Sequence, residues 1–152
     1  MLNSLKNYLQ ISKTLHTSAQ PSLEQFEMIK NCGVDMVINL AQINSPGAIE
    51  NESQIVTSNM MDYIHIPVDF NHPTSTELES FFNTMNQSVN KIILIHCAYN
   101  WRVSCFIYLY QLIENRIPEK DARDDMLKIW NPDETWESFI KINLSMYENK
   151  IK

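Results

Sequence analysis

Short apolar runs alternate with segments of helical periodicity along the chain. Asp35–Ala41, Asp62–Val68 and Lys91–Ile95 are β-rich, and the last is an almost unbroken aliphatic run typical of a strand buried on both faces. An extended segment near Ile11–Ser18 precedes them. This alternation predicts an α/β fold with a central, mainly parallel sheet of four to five strands flanked by helices.

Two segments have the signature of a helix start. Ser22–Gln25 and Thr74–Glu77 have the spacing of a capping box, in which side chains bind the free amides of the first helical turn. The first predicts a helix that ends at Gly33. Its apolar face would contain Leu23, Phe26 and Ile29. The second precedes apolar residues at helical spacing, which are Leu78, Phe81, Phe82, Met85 and Val89.

The chain after the last predicted strand is expected to be a helical C-terminal third. From about Arg102, one helix face collects Phe106, Leu109, Tyr110 and Ile113. Two further helices are predicted at about Glu119–Ile129 and Glu134–Asn149. Trp130 and Trp136 flank a proline between them and are predicted to anchor these helices to the rest of the fold.

Length and composition indicate one folded domain over residues 1–152. The formal net charge of −6 disfavours a nucleic-acid surface or a basic membrane-binding face, so neither nucleic acid nor a membrane is expected as a partner. The longest apolar run is too short to span a bilayer, and the N-terminus lacks the apolar core of a signal peptide. We therefore expect a cytoplasmic protein.

The residues with the clearest chemical potential lie in one motif, HCAYNWRVS, from His96 to Ser104. It follows a predicted strand and precedes a predicted helix, and a helix amino terminus presents free N–H groups and a partial positive charge to an anion. That terminus and the Arg102 guanidinium both favour the thiolate of Cys97, the candidate nucleophile. Arg102 can hold two oxygens of a phosphoryl group. Asn100 tolerates the left-handed backbone that a tight anion cradle requires.

Residues beside the nucleophile have predicted supporting or packing roles. Ser104 is a candidate hydrogen-bond donor to the Cys97 sulfur. His96 either tunes the thiolate or is a hydrogen-bonded buried histidine at the strand end, and the sequence favours neither role. Cys32 and Cys105 are predicted to pack in the interior.

The motif and its surroundings resemble the protein tyrosine phosphatase superfamily, whose signature is a His-Cys pair, a short cradle, an arginine and a following serine or threonine. Within it, the chain is similar to a small bacterial phosphatase-like family related to the fusion domain of β-lactamase-hydrolase-like proteins. The matching stretches extend over nearly the whole chain and are Thr17–Pro21, Val37–Leu40, Tyr63–Asp69, His96–Ser104, and Trp130–Pro132 with Trp136.

The resemblance implies a protein tyrosine phosphatase-like fold and a cysteine-dependent phosphatase. Its substrate would be a phosphorylated small molecule or a phosphoprotein, and it would need no metal or organic cofactor. Cys97 would attack phosphorus, and water would then hydrolyse the phosphocysteine intermediate. The phosphoryl oxygens would be held by the Arg102 guanidinium and by the loop amides, those of Ala98, Tyr99, Asn100, Trp101 and Arg102.

The cysteine loop, defined here as residues 97–102, is one residue shorter than the familiar phosphatase loop. Four residues instead of five separate Cys97 from Arg102. This spacing resembles the loop of rhodanese-type sulfurtransferases, whose smaller cradle suits a sulfane sulfur. Bulky Tyr99 and Trp101 replace the small residues usual there and could form a rim for an aromatic substrate. A sulfurtransferase and a non-catalytic phosphate-binding module are therefore alternatives to the phosphatase.

The general acid implied by the resemblance is an aspartate on the loop before the helix that precedes the catalytic strand. Asp69 is the aspartate in that position, and His72, on the same loop, is the alternative. The histidines have no metal-ligand spacing with any cysteine, so no metal site is predicted.

Overall fold

A five-stranded sheet forms the centre of the computed structural model, which describes residues 1–151, with side chains to residue 148. The strands stand in the order β1-β2-β5-β3-β4. β1 pairs antiparallel with β2, and the other neighbours are parallel. The mainly parallel α/β sheet is thereby confirmed. The strands are β1 Leu9–Gln10, β2 Leu15–Ser18, β3 Met36–Asn39, β4 Asp62–His65 and β5 Ile93–His96.

Six α-helices surround the sheet, and the predicted helical C-terminal third is confirmed. Their bounds are α1 Gln25–Asn31, α2 Glu52–Ser58, α3 Ser75–Gln87, α4 Trp101–Ile113, α5 Glu119–Ile129 and α6 Glu134–Ile151. α5 has the predicted bounds, and α6 begins where expected. In the part of the chain that the structure describes, no helix has the length and apolar character needed to cross a membrane.

Alternating strand side chains divide the core between the two faces of the sheet. Ile93 and Ile95 pack in a large cluster with residues of α3 to α6, such as Phe106. Leu94 points the opposite way and packs with Phe26 of α1 and Val56 of α2. Because successive strand residues face opposite sides, the aliphatic run of β5 fills both layers.

The two predicted capping boxes are wrong in detail. Neither α1 nor α3 has a side-chain hydrogen bond from its N-cap residue, although Gln25 Oε1 accepts from the Ser22 amide at 2.9 Å. α1 begins at Gln25, so Leu23 lies in the preceding turn and is exposed. Val89 is also exposed, because α3 ends at Gln87.

α4 is buried on all sides, although the sequence predicted a single apolar face. Every residue from Arg102 to Gln111 is buried. The helix packs against α3, α5 and α6 and also contacts β2 of the sheet, so no face of this stretch is left to solvent. The packing of this stretch consequently fixes the position of the amino terminus of α4, where the cysteine loop enters the helix.

The register of the parallel strands aligns their carboxyl ends. His96 stands opposite both Ser18 and Asn39, and Asn39 stands opposite His65. The segments that leave β2, β3, β4 and β5 therefore emerge at one edge of the sheet, where parallel α/β folds bind their ligands.

Trp136 connects the last helix to that edge. Its side chain is fully buried, and its indole Nε1 donates to the Phe70 carbonyl at 2.9 Å. We predict that Trp136→Ala lowers the free energy of unfolding by about 3–5 kcal/mol, because it removes a large core side chain. Urea unfolding followed by circular dichroism measures this change.

The matched control for Trp136 is Ile142→Ala on the same helix, where the side chain is exposed. It should change stability by no more than about 0.5 kcal/mol. Equal losses in the two variants would contradict the anchoring role of Trp136.

Candidate active site

The cysteine loop forms the tight turn that the sequence predicted between a strand and a helix. β5 ends at His96, and α4 begins at Trp101. Cys97 has no exposed surface, so its thiol lies at the base of this turn. Asn100, the N-cap of α4, has φ 71°, in the left-handed region expected for it.

The amides of the loop are free to bind a ligand. Within the described chain, no hydrogen bond has the backbone N–H of Ala98, Tyr99, Asn100, Trp101 or Arg102 as its donor. Consecutive unpaired amides beside a left-handed residue at a helix start form a concave, electropositive nest for an anion. The loop therefore has the properties of a phosphate cradle.

The loop carbonyls point to partners outside the cradle. The Gln20 amide donates to the Ala98 carbonyl at 3.2 Å, and the Asn7 side chain donates to the Tyr99 carbonyl at 3.1 Å. In return, Asn100 Nδ2 donates to the Asn7 carbonyl at 2.8 Å. The N-terminal segment thus holds the negative ends of these peptide groups away from the free amides.

Arg102 carries a buried positive charge beside the loop. Its side chain is almost fully buried, and Nη1 donates to the Val68 carbonyl at 2.9 Å. Nη2 lies 3.4 Å from Ser45 Oγ, and the guanidinium lies over the Phe70 ring. No Asp or Glu within the described residues forms an ion pair with it. An arginine stays protonated in proteins, so this charge lacks an anionic partner.

A cleft of about 320 Å³ opens above the loop. One wall comes from the segment after β3, and the other comes from the loop itself and the segment after β4. Trp101 stacks on Trp130 with 4.9 Å between ring centroids, and Tyr99 lies 5.2 Å from Trp101. The lining residues are Gln42, Asn44, Ser45, Pro46, Phe70, Ala98, Tyr99, Trp101 and Arg102.

His96 makes a buried contact with Glu52 that the sequence did not reveal. Its Nε2 lies 2.7 Å from Glu52 Oε2, and neither side chain is exposed by more than 3%. Gln20 Nε2 donates to the other Glu52 oxygen at 2.6 Å. Burial alone would raise the pKa of Glu52, but the hydrogen bonds and the charge of its partners outweigh it and lower that pKa.

Tyr63 extends this buried network. Its hydroxyl accepts a hydrogen bond from Asn39 Nδ2 at 3.1 Å. Burial raises the pKa of Tyr63 and the Glu52 charge raises it further, so the phenol stays protonated beside the carboxylate. Glu52 could not be identified from the sequence, since one glutamate in a polar helix start has the pattern of a solvent-exposed residue.

Ser104 does not have the role predicted for it. Its hydroxyl donates to the Trp101 carbonyl at 2.7 Å and accepts from Trp130 Nε1 at 2.9 Å. Both contacts hold the first turn of α4 and leave no donor for the Cys97 sulfur. The predicted anchoring role of Trp130 is supported, because its indole also stacks on Trp101.

The other two cysteines differ in environment. Cys105 is fully buried in the core, as predicted, and burial raises the pKa of its thiol. The prediction for Cys32 is wrong: it is exposed, because it caps the end of α1. Within residues 1–148, no group of three or more His, Cys, Asp or Glu side chains is arranged to hold a metal ion.

Asp69 and His72 lie outside the cleft lining. Asp69 Oδ1 accepts from the Asn71 amide at 2.9 Å, and its Oδ2 lies 3.5 Å from His72 Nδ1. The side chains of Asp69 and His72 are 46% and 83% exposed. Hydrogen bonds to the carbonyls of Val68 and Phe70 fix this segment so that Phe70 faces the cleft. Neither predicted general acid therefore lines the cleft, and the described contacts of both are within their own loop.

A candidate phosphatase (DUF442) from Shewanella putrefaciens CN-32 has the same fold and a related sequence. It is 33% identical, and the alignment covers 96% of each chain with a TM-score of 0.86. The chain belongs to the DUF442 family. The resemblance of the chain to a phosphatase-like family is thereby confirmed, and the expectation of a phosphatase-type enzyme agrees with the description of this relative.

More distant solved structures share the fold of this DUF442 protein. P. aeruginosa TpbA in complex with pTyr is 15% identical over 88% of this chain and 82% of its own, with a TM-score of 0.71. The core catalytic domain of the PP-IP phosphatase SIW14 from S. cerevisiae is 16% identical over 90% and 85%, with a TM-score of 0.74. No family model and no curated protein matches the sequence.

The left-handed backbone at Asn100 separates two effects of its substitution. Asn100→Gly loses the side-chain hydrogen bonds to Asn7 and Thr17, but glycine adopts the positive φ angle without strain. Asn100→Ala loses the same hydrogen bonds and is also strained at this φ angle. We predict that the alanine variant unfolds with about 1 kcal/mol less free energy than the glycine variant. Urea unfolding of both proteins measures the difference, and an alanine variant at least as stable as the glycine variant would show that the angle is not required.

Proposed function

We propose that this DUF442 protein is a cysteine-dependent phosphatase that hydrolyses phosphomonoesters through a phosphocysteine intermediate. The observation that carries the proposal is the buried Arg102 guanidinium, which has no carboxylate partner among the described residues and adjoins a loop of free amides. A dianionic phosphoryl group supplies the missing negative charge and accepts from both sets of donors. Family membership supports the same reaction.

The proposed reaction has two displacements at phosphorus. The Cys97 thiolate attacks phosphorus, the bond from phosphorus to the ester oxygen breaks, and the leaving group departs with that electron pair. Water then attacks the phosphocysteine, the S–P bond breaks, and orthophosphate, a proton and the free thiolate are released. Arg102 and the loop amides hold the three non-bridging oxygens through both steps, where the charge on them is greatest.

The cleft lining indicates which leaving groups the enzyme accepts. No carboxyl or imidazole side chain lines it. A leaving group is therefore expected to depart as an anion and take its proton from solvent, which favours esters of acidic hydroxyl groups such as phenols. The rings of Tyr99, Trp101 and Phe70 in the lining suit an aromatic group.

The substrate is proposed to carry one phosphoryl group at this site. Arg102 is the one cationic side chain in the cleft lining, so further phosphates would find no counter-charge there. Either a small aromatic phosphate or a phosphotyrosine side chain of a protein meets this condition.

A phosphate-binding module without turnover is the second candidate. The complete burial of Cys97 favours it, because a nucleophile must reach phosphorus in line with the leaving oxygen. In that case the same cradle binds orthophosphate tightly but forms no covalent intermediate.

We predict that Cys97→Ser abolishes hydrolysis of p-nitrophenyl phosphate but retains orthophosphate binding, since the cradle donors remain. Arg102→Lys should weaken that binding, because an ammonium cannot replace the planar fork of donors. Steady-state rates and calorimetric titration with orthophosphate measure the two effects, with Arg116→Lys, an exposed arginine, as the control.

Two outcomes would overturn this assignment. Wild-type protein that binds orthophosphate without turnover would identify the binding module. Transfer of sulfur from thiosulfate to cyanide that disappears in Cys97→Ser would identify a sulfurtransferase.

The absence of a carboxyl group from the cleft lining gives a separate prediction for Asp69. Phenyl phosphate should react far more slowly than p-nitrophenyl phosphate, and Asp69→Asn should leave both rates within about twofold because its carboxylate lies outside the cleft lining. A general acid typically contributes 100-fold or more. A loss of that size with phenyl phosphate, and a much smaller one with p-nitrophenyl phosphate, would instead assign Asp69 as the acid.

A further inference from the structure

We propose that Glu52 is a positioning residue for the cysteine loop: it holds His96, the residue directly before Cys97, doubly protonated and in one ring orientation. The structural part of this inference stands on the buried contacts alone. Its catalytic consequence rests on the function proposed above.

The contacts of the His96 ring support double protonation. Nε2 faces Glu52 Oε2 at 2.7 Å, and Nδ1 faces the Cys97 carbonyl at 3.4 Å. Both neighbours are hydrogen-bond acceptors. With a hydrogen on each ring nitrogen, neither nitrogen points a lone pair at an oxygen lone pair of its neighbour. The ring is completely buried, and water cannot take the place of either partner.

Glu52 reaches the cysteine loop by two routes. Through His96 it contacts the peptide of Cys97. Through Gln20, whose side chain donates to Glu52 and whose backbone amide donates to the Ala98 carbonyl, it contacts the next peptide. The first two residues of the loop are thus fixed by one carboxylate from α2, which lies 44 residues before His96 in the sequence.

Few other charged groups face this pair. Tyr63 of β4 is the titratable neighbour of Glu52, and its phenol is bound by Asn39. Arg102 makes its contacts with Val68 and Ser45, and no salt bridge joins it to Glu52 in the described chain. Within the described residues, Glu52 is therefore the one carboxylate in contact with His96.

The chain offers a substitution that removes the charge while residue 52 keeps its contacts with His96 and Gln20. Gln20 Oε1 is buried and has no partner within the described residues. In Glu52→Gln, a flip of the Gln20 amide lets that oxygen accept from the new side-chain NH₂, while the new carbonyl accepts from His96 Nε2. The flip gives up the hydrogen bond from Gln20 Nε2 to the Pro21 carbonyl. Glu52→Ala, in contrast, removes both charge and contacts.

The direct test is nitrogen NMR of the histidine rings in the full chain, with the His96 signals assigned from His96→Asn. We expect His96 to be protonated on both nitrogens at neutral pH in the wild type and on one nitrogen in Glu52→Gln. Glu50→Gln, an exposed neighbour on the same segment, should leave the signals unchanged. A His96 ring that is identical in the wild type and Glu52→Gln would overturn the inference, whatever the activity.

The catalytic test is the pH dependence of p-nitrophenyl phosphate hydrolysis. We expect Glu52→Gln to lower kcat about 10-fold, with a shifted pH profile and a smaller change in KM, as found when the outer partner of a functional histidine is lost. Glu52→Ala should add a loss of stability and weaker orthophosphate binding.

A kcat loss with an unchanged pH profile would assign Glu52 a structural role only. Absence of turnover in the wild type would refute the proposed function but leave the NMR test valid.

Discussion

A positive charge buried without a carboxylate is the constraint on which the site depends. Arg102 has neutral partners, the Val68 carbonyl and the Ser45 hydroxyl, together with the face of Phe70. Removing a guanidinium from water costs several kcal/mol unless an anion compensates it. The chain has an acidic excess of six charges, yet none of its described carboxylates pairs with this arginine. Under the proposed function, the compensation comes from a bound phosphoryl group.

The charged groups around the cysteine loop lie in two places, one beneath the loop and one beside it. Beneath the loop, the Glu52 carboxylate faces His96, and with His96 protonated as proposed the pair contributes little net field. Beside the loop, Arg102 and the free amides are unopposed. A carboxylate placed next to Arg102 would cancel the attraction of its guanidinium for phosphate. Glu52 contacts His96 and forms no ion pair with Arg102 among the described residues, so it does not cancel this attraction.

The parts of the fold that local pattern determines were predictable from the sequence. The aliphatic run before Cys97, the left-handed Asn100 and the start of α4 follow from residues adjacent in the chain. The Glu52–His96 pair was not predictable, because it joins residues 44 positions apart and a buried glutamate has no periodic signal. The direction of Asp69 also escaped prediction, since contacts from distant Arg102 and Trp136 orient its loop.

Capture of the ligand must be local in this molecule. Net negative charge repels a phosphate at long range, and salt screens that repulsion beyond about 10 Å. Only within the cleft do the Arg102 guanidinium and the converging amides outweigh it. Under the proposed function, this geometry selects for a phosphoryl group that enters the cradle fully, and the rings of Tyr99 and Trp101 are placed to contact the group attached to it. Selectivity thus comes from short-range fit at the loop, which the N-terminal segment and the Glu52 network keep in place.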